Sequence, residues 1–172
     1  MAECNNTTII CIDIQEKLVK IASDEIKNNI IKLMKAASIL DIDTIVTEQY
    51  PKGLGETIGE IKSIKNFKTI EKTTFSALRT PEFPKKFNEN VVIFGIETHI
   101  CVWQSVLDLI EKGYNVYVPC DCCASRSEEN KKTALENLKQ KGANIVTLEM
   151  LLFDFLKSSN HPNFKEIQGL IK

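Results

Sequence analysis

A parallel sheet covered by helices on both faces is the fold this sequence predicts, and two observations predict it. Short, near-continuous apolar runs rich in β-branched residues alternate with longer stretches of helical periodicity. Two of those stretches stop at a glycine, the common helix-ending residue. Strand–helix alternation of this kind is the pattern of an α/β protein.

The elements follow in chain order. Thr8–Ile14 (TIICIDI) is a β-rich apolar run, so it reads as the first strand. From Asp24 to Leu40, Ile26, Ile30, Ile31, Leu33, Met34, Ala37 and Leu40 fall near helical spacing. Thr44–Thr47 predicts a second strand, Phe67–Ile70 a weak third and Val91–Phe94 (VVIF) a strong fourth. Ile100–Lys112 reads as a helix closed by Gly113, and Val116–Val118 as a fifth strand ended by Pro119. Glu128–Lys141 is a charged amphipathic helix closed by Gly142. Ile145–Leu148 gives the sixth strand and Met150–Lys157 the last substantial helix. No repeat, linker or low-complexity segment interrupts the pattern, so residues 1–172 are expected to form one domain.

Composition narrows the function classes. The 172 residues are 43% hydrophobic and 26% charged, a globular balance. A net charge of −1 gives no basic footprint for nucleic acid or an anionic membrane. No apolar run approaches the length of a membrane span, and no basic region precedes an apolar one near Met1. A cytoplasmic protein with reduced thiols is therefore expected from its six cysteines, Cys4, Cys11, Cys101, Cys120, Cys122 and Cys123. "CDCC" lacks a second ligand pair at zinc spacing and reads as a strand-end cluster of small residues; no metal or cofactor is expected. The first strand is followed by "DIQEKL", without the glycines of a dinucleotide turn, and no phosphate-cradling loop occurs elsewhere.

In sheets of this type ligands bind beyond the carboxyl ends of the strands. That rule selects Asp13, Glu48 and Gln49, Glu71 and Lys72, the Gly95–Cys101 segment and Asp121. Among them Asp13, Lys72 and Cys101 make a nucleophile with an acid/base group and a cation. Cys101 falls in the first turn of a predicted helix, where backbone N–H groups and the positive dipole end favour a thiolate. Lys72 would add a charge, Asp13 would take the thiol proton, and N–H groups around Glu97–Cys101 would receive an oxyanion. The opposing reading is a buried structural thiol.

The segments "CIDIQEKL", "TEQYPKGLG", "EKTTFSAL", "VVIFGIETHICVWQSVLDLIEKGY", "DCCASR" and "GANIVTLEMLLFDFL" resemble the isochorismatase-like cysteine hydrolases. They are most similar to the isochorismatase-domain-containing subgroup, and the likeness runs from about Ile9 to Lys172. The resemblance implies a three-layer Rossmann-like fold with a six-stranded parallel sheet and an Asp–Lys–Cys triad at Asp13, Lys72 and Cys101. It implies hydrolysis of a small amide or related non-peptide C–N bond through a thioester on the cysteine. It also implies a cis peptide at Ile96–Glu97, aiming N–H groups at the oxyanion, and a homo-oligomer of two or more chains. Nicotinamidases of this superfamily carry a metal on an Asp and histidines after strand two; "TEQYP" offers no histidine there, so that activity is not expected.

Other residues have two readings. Gln15 points into the pocket or opens the next segment, and Glu97 contacts substrate or serves the turn. Tyr50 reaches over the site from the loop after strand two, and Phe75, like Trp103, lines the pocket or packs in the core. His99 caps a helix rather than serving as a base. Arg126 pairs with a substrate carboxylate or, in the commoner case, with Asp121. The apolar "EMLLFDFL" is an interface or a core helix. Against the enzyme stand two alternatives: a catalytically silent binding protein that keeps the fold, and a redox sensor using Cys101.

Overall fold

The computed structural model describes residues 3–172. Seven strands form one sheet: β1 (Thr7–Ile12), β2 (Asp43–Gln49), β3 (Lys68–Lys72), β4 (Asn90–Ile96), β5 (Asn115–Pro119), β6 (Cys123–Ala124) and β7 (Asn144–Val146). The order is β3-β2-β1-β4-β5-β7, every pairing is parallel, and the two-residue β6 lies against the end of β4. The sheet thus has the six expected strands plus this short seventh, which the sequence reading did not contain. Every residue of β1 and β4 is buried, which is why both read as continuous apolar runs rather than alternating ones.

The helices are α1 (Asp24–Ile39), α2 (Pro51–Leu54), α3 (Gly59–Lys62), α4 (Trp103–Glu111), α5 (Glu128–Gln140), α6 (Leu148–Leu156) and α7 (Phe164–Ile171). Helices α1, α6 and α7 pack together on one side of the sheet, while α4 and α5 pack together on the other. Caps set the starts: the side chains of Ser23, Ser127 and Thr147 accept from the N–H groups of Ile26, Asn130 and Met150. The short α2 and α3 and the terminal α7 were not expected. α7 is eight residues long and carries Gly169, so its local helical signal is weak, and its docking on α1 and α6 stabilises it.

A second difference bears on the site. The chain does not enter α4 directly from β4; Thr98–Val102 forms a π-helical turn first. There the N–H of Val102 donates to the carbonyl of Glu97 at 3.3 Å. One extra residue in the turn re-aims the side chains that follow it, and such turns recur at functional sites. Helix α6 resolves its two readings by face. Leu148, Leu151, Leu152, Phe155 and Leu156 are buried, while Met150 and Phe153 are exposed beside a groove of about 650 Å³ along β7. Among the described residues no helix is long and apolar enough to cross a membrane.

Candidate active site

Strand order reverses direction between β1 and β4, so the crevice beyond their carboxyl ends is the switch point at which α/β sheets bind ligands. Asp13 follows β1 there with φ +54°, a left-handed conformation that Asp tolerates better than most residues. Its carboxylate accepts on both oxygens: Oδ1 from Thr47 Oγ1 at 2.6 Å and Oδ2 from Lys72 Nζ at 2.7 Å. The Asp13 and Lys72 side chains have no exposed surface. β3 alternates, putting Lys72 inside and Glu71 outside, as strand geometry requires.

Close approach of the two central strands depends on Gly95. It is the register partner of Ile12, has φ +130°, and a Cβ built on it would stand 2.1 Å from the Ile12 carbonyl oxygen. The Ile96–Glu97 peptide that follows is cis. Cys101 then lies in the π turn, 6% exposed, where the charges of Asp13 and Lys72 both act on its thiol.

Electrostatically the thiol differs from the expectation. Burial and then the neighbouring Asp13 carboxylate push its pKa up to about 12, and the Lys72 cation offsets this only in part. The turn's dipole does not outweigh desolvation, so the resting group is a thiol and a base is needed to ionise it.

The remaining expected residues fall as follows. Gln15 is buried and fully engaged with main chain: Nε2 donates to the carbonyls of Gln49 (3.0 Å) and Gly55 (2.6 Å), and Oε1 accepts from the N–H of Gln49 (2.8 Å). Its reading as a pocket-facing amide is therefore corrected to a loop clamp. Glu97 meets Arg126 through both carboxylate oxygens and also accepts the Arg126 main-chain N–H at 3.0 Å. That pairing holds the Glu97 carboxyl below the usual range. It corrects one expectation, since Arg126 pairs with Glu97 rather than Asp121, and it accords with the reading in which Glu97 serves the turn. Asp121 instead accepts the N–H of Leu148 at 2.8 Å.

Tyr50 and Phe75 are more than half exposed, so neither packs in the core. Tyr50 lines a cleft of about 590 Å³ along the outer edge of β3, together with Lys72, Thr73, Thr74 and Thr80. Neither of the two large clefts reaches Cys101. Trp103 packs against the core and donates to Asn137 Oδ1 at 2.9 Å. His99 Nδ1 pairs with Ser125 Oγ at 2.9 Å. Among the described residues no three His, Cys, Asp or Glu side chains are grouped to hold a metal ion.

Of two further site neighbours, the strand-end rule selects Gln49 but not Thr47, and it gives neither its partner. Thr47 fixes Asp13, and Gln49 Oε1 accepts from Lys72 Nζ at 2.7 Å. Their position at the end of a predicted strand was the available signal; the partners depend on the Gln49–Lys72 register, which local sequence does not carry.

Comparison with known proteins places this geometry in context. Residues 7–150 match the isochorismatase domain model. The chain is 38% identical to isochorismatase domain-containing protein 2 of Xenopus laevis, over 99% of this chain and 85% of that one. It superposes with a TM-score of 0.94 on the MAR1 ribonuclease of Caenorhabditis elegans, 39% identical, covering 99% of this chain and 91% of the other. It shares its fold with Escherichia coli YcaC, an octameric hydrolase of unknown specificity, at TM-score 0.85 and 22% identity, covering 99% and 94%.

Proposed function

The chain belongs to the isochorismatase family, and from that premise we propose that it is a cysteine hydrolase that cleaves a small amide or related C–N bond with Asp13, Lys72 and Cys101. Family membership supports a hydrolytic activity. The observation that carries the finer reading is the buried Asp13–Lys72 ion pair, 2.7 Å long, acting on a thiol that its surroundings keep protonated. A buried pair of this kind is a costly way to stabilise a fold, whereas a base and a cation beside a nucleophile have chemical use.

The steps follow from the positions. As Sγ of Cys101 closes on the carbonyl carbon, Asp13 takes the thiol proton in the same event, so a free thiolate is never populated. Lys72 balances the negative charge as it passes from the Asp13 carboxylate to the substrate. The carbonyl oxygen, now an oxyanion, is received by N–H groups of the turn from Glu97 to Cys101. Asp13 returns the proton to the departing nitrogen, the C–N bond breaks, and ammonia or an amine leaves an acyl thioester on Cys101. Asp13 then draws a proton from water as the water oxygen attacks the thioester, the C–S bond breaks, Asp13 returns the proton to the Cys101 sulfur, and the acid is released.

The other readings are less well supported. A redox sensor needs an accessible thiol of low pKa, and Cys101 is buried with a raised one. Against a silent relic, Tyr50 and Phe75 are exposed and do not plug the site, although neither large cleft reaches Cys101. The nematode relative's name raises RNA cleavage, and against it stands only a net charge of −1, which gives no overall basic excess. We also take the protein to be one cytoplasmic domain over residues 1–172 and a homo-oligomer, working without a metal or cofactor. The test is a panel of small primary and secondary amides, with amine release measured for the wild type and Cys101→Ala. Release by the wild type alone supports the proposal; RNA cleavage with no amide turned over would replace it.

A further inference from the structure

Lys72 is held more closely than an ion pair with Asp13 requires. Four oxygens surround Nζ: Asp13 Oδ2 and Gln49 Oε1, each at 2.7 Å, and the carbonyls of Thr74 and Phe75 at 3.3 and 3.4 Å. Of these, Gln49 supplies the one neutral side chain, and its amide has a single orientation. Nε2 donates to the Thr73 carbonyl at 3.0 Å, leaving Oε1 to face Lys72. The Gln49 main chain is fixed on both of its polar groups by the buried Gln15 amide, whose remaining N–H donates to Gly55. Two glutamines thus run in series from the loop after β1 to the ammonium group.

We infer that Gln49 is a positioning residue for the hydrolysis proposed above. It acts through Lys72, directing the ammonium at Asp13 and the Cys101 thiol, and Gln15 locks it in place. The inference rests on the reading of Cys101 as the nucleophile. A neutral acceptor satisfies one ammonium proton without competing for the cation's charge. A carboxylate at the same place would compete with Asp13 and with the developing thiolate. No other charge interferes: Asp13 and Lys72 are the charged groups acting on Cys101, Glu48 is turned to the N–H of Thr57, and Glu71 lies on the exposed face.

The experiment uses Gln49→Glu and Gln49→Met in the full chain. Alkylation of Cys101 by iodoacetamide is followed from pH 7 to 10 by peptide mass spectrometry, with melting temperatures alongside. Gln49→Glu is expected to slow alkylation about tenfold at each pH, the effect of raising the thiol pKa by about one unit. Gln49→Met slows it less, since it removes an acceptor without adding charge. A merely structural clamp would lower the melting temperature and leave the profile of every folded variant at the wild-type rate, and that result overturns the inference. If Gln49→Met does not fold, the near-isosteric Gln49→Glu decides alone. Alkylation needs no turnover, so failure of the amide screen and failure of this inference are separate results.

Discussion

Two buried thiols lie at the carboxyl end of β4, one beside it and one just beyond it, and burial pushes both up to about 12. Cys123 sits in β6 as the register partner of Gly95, and Cys101 sits in the π turn that continues β4. Their pKa values are alike and their surroundings are not. At Cys123 a backbone hydrogen bond at Gly95 and the field of Lys131 oppose that rise, while Cys120 and Asp121 add to it, and no buried carboxylate–ammonium pair stands beside it. Cys101 has as charged neighbours the Asp13 carboxylate and the Lys72 ammonium, which are themselves joined at 2.7 Å. If Cys101 is the nucleophile, as proposed, the contrast teaches that the resting value does not mark a reactive thiol in this fold. What separates them is whether a base stands ready to take the proton as the bond forms.

The sharpest break in the comparison is deletion of each sulfur. Cys101→Ala is expected to reduce amide turnover by about a thousandfold or more, as loss of a nucleophile does. Cys123→Ala should leave turnover intact and cost about 1 kcal/mol of stability from lost packing, read by denaturant unfolding. Next comes Lys72→Met, which leaves the Asp13 charge buried and unpaired. A loss of about 3–5 kcal/mol is expected in the same unfolding assay, accompanied by slower turnover.

Asp13→Asn separates acidity from catalysis. Asp13 raises the Cys101 pKa by charge and by hydrogen bond, so its removal lowers that pKa and enlarges the thiolate fraction at pH 8. Alkylation of Cys101 should therefore quicken while amide turnover falls by about a hundredfold or more, because the general base is gone. Parallel changes in both rates would show that Asp13 serves only to tune the thiol.

The smallest effect concerns the Glu97–Arg126 pair. Because the Glu97 carboxyl is held below its ordinary range by the Arg126 hydrogen bonds, its contribution to stability is present above the unfolded carboxylate pKa. It is lost as pH falls through the lowered folded value. Arg126→Ala should lower the melting temperature slightly at pH 7, and the difference from wild type should close in strong acid.

How much of this the sequence carries depends on the range of the interaction. Strand ends are local signals, so Asp13, Lys72 and Cys101 are legible once the strands are placed. Register is not local: the Gln49–Lys72 and Thr47–Asp13 contacts join separate strands, and nothing near Gln49 or Thr47 announces them. The π turn is hidden for a related reason, since its one extra residue leaves the apolar pattern of Ile100–Lys112 readable as an ordinary helix. The direction of the Cys101 shift was misread because a dipole can be read from a helix start, whereas burial comes from the tertiary packing. Glu97 and Arg126 lie 29 residues apart in sequence, and their pairing emerges only when the segment after β6 returns beside β4.

The central claim, that Cys101 is the nucleophile among six thiols, has a direct test in acylation by p-nitrophenyl acetate. The modified residue is located by peptide mass spectrometry immediately after the reaction. Accessibility alone favours Cys4 and Cys120, which are partly exposed, over Cys101, which is buried. The account predicts the acetyl group on Cys101 first, ahead of the partly exposed Cys4 and Cys120. Acetylation of Cys4 and Cys120 with Cys101 unmodified would contradict it.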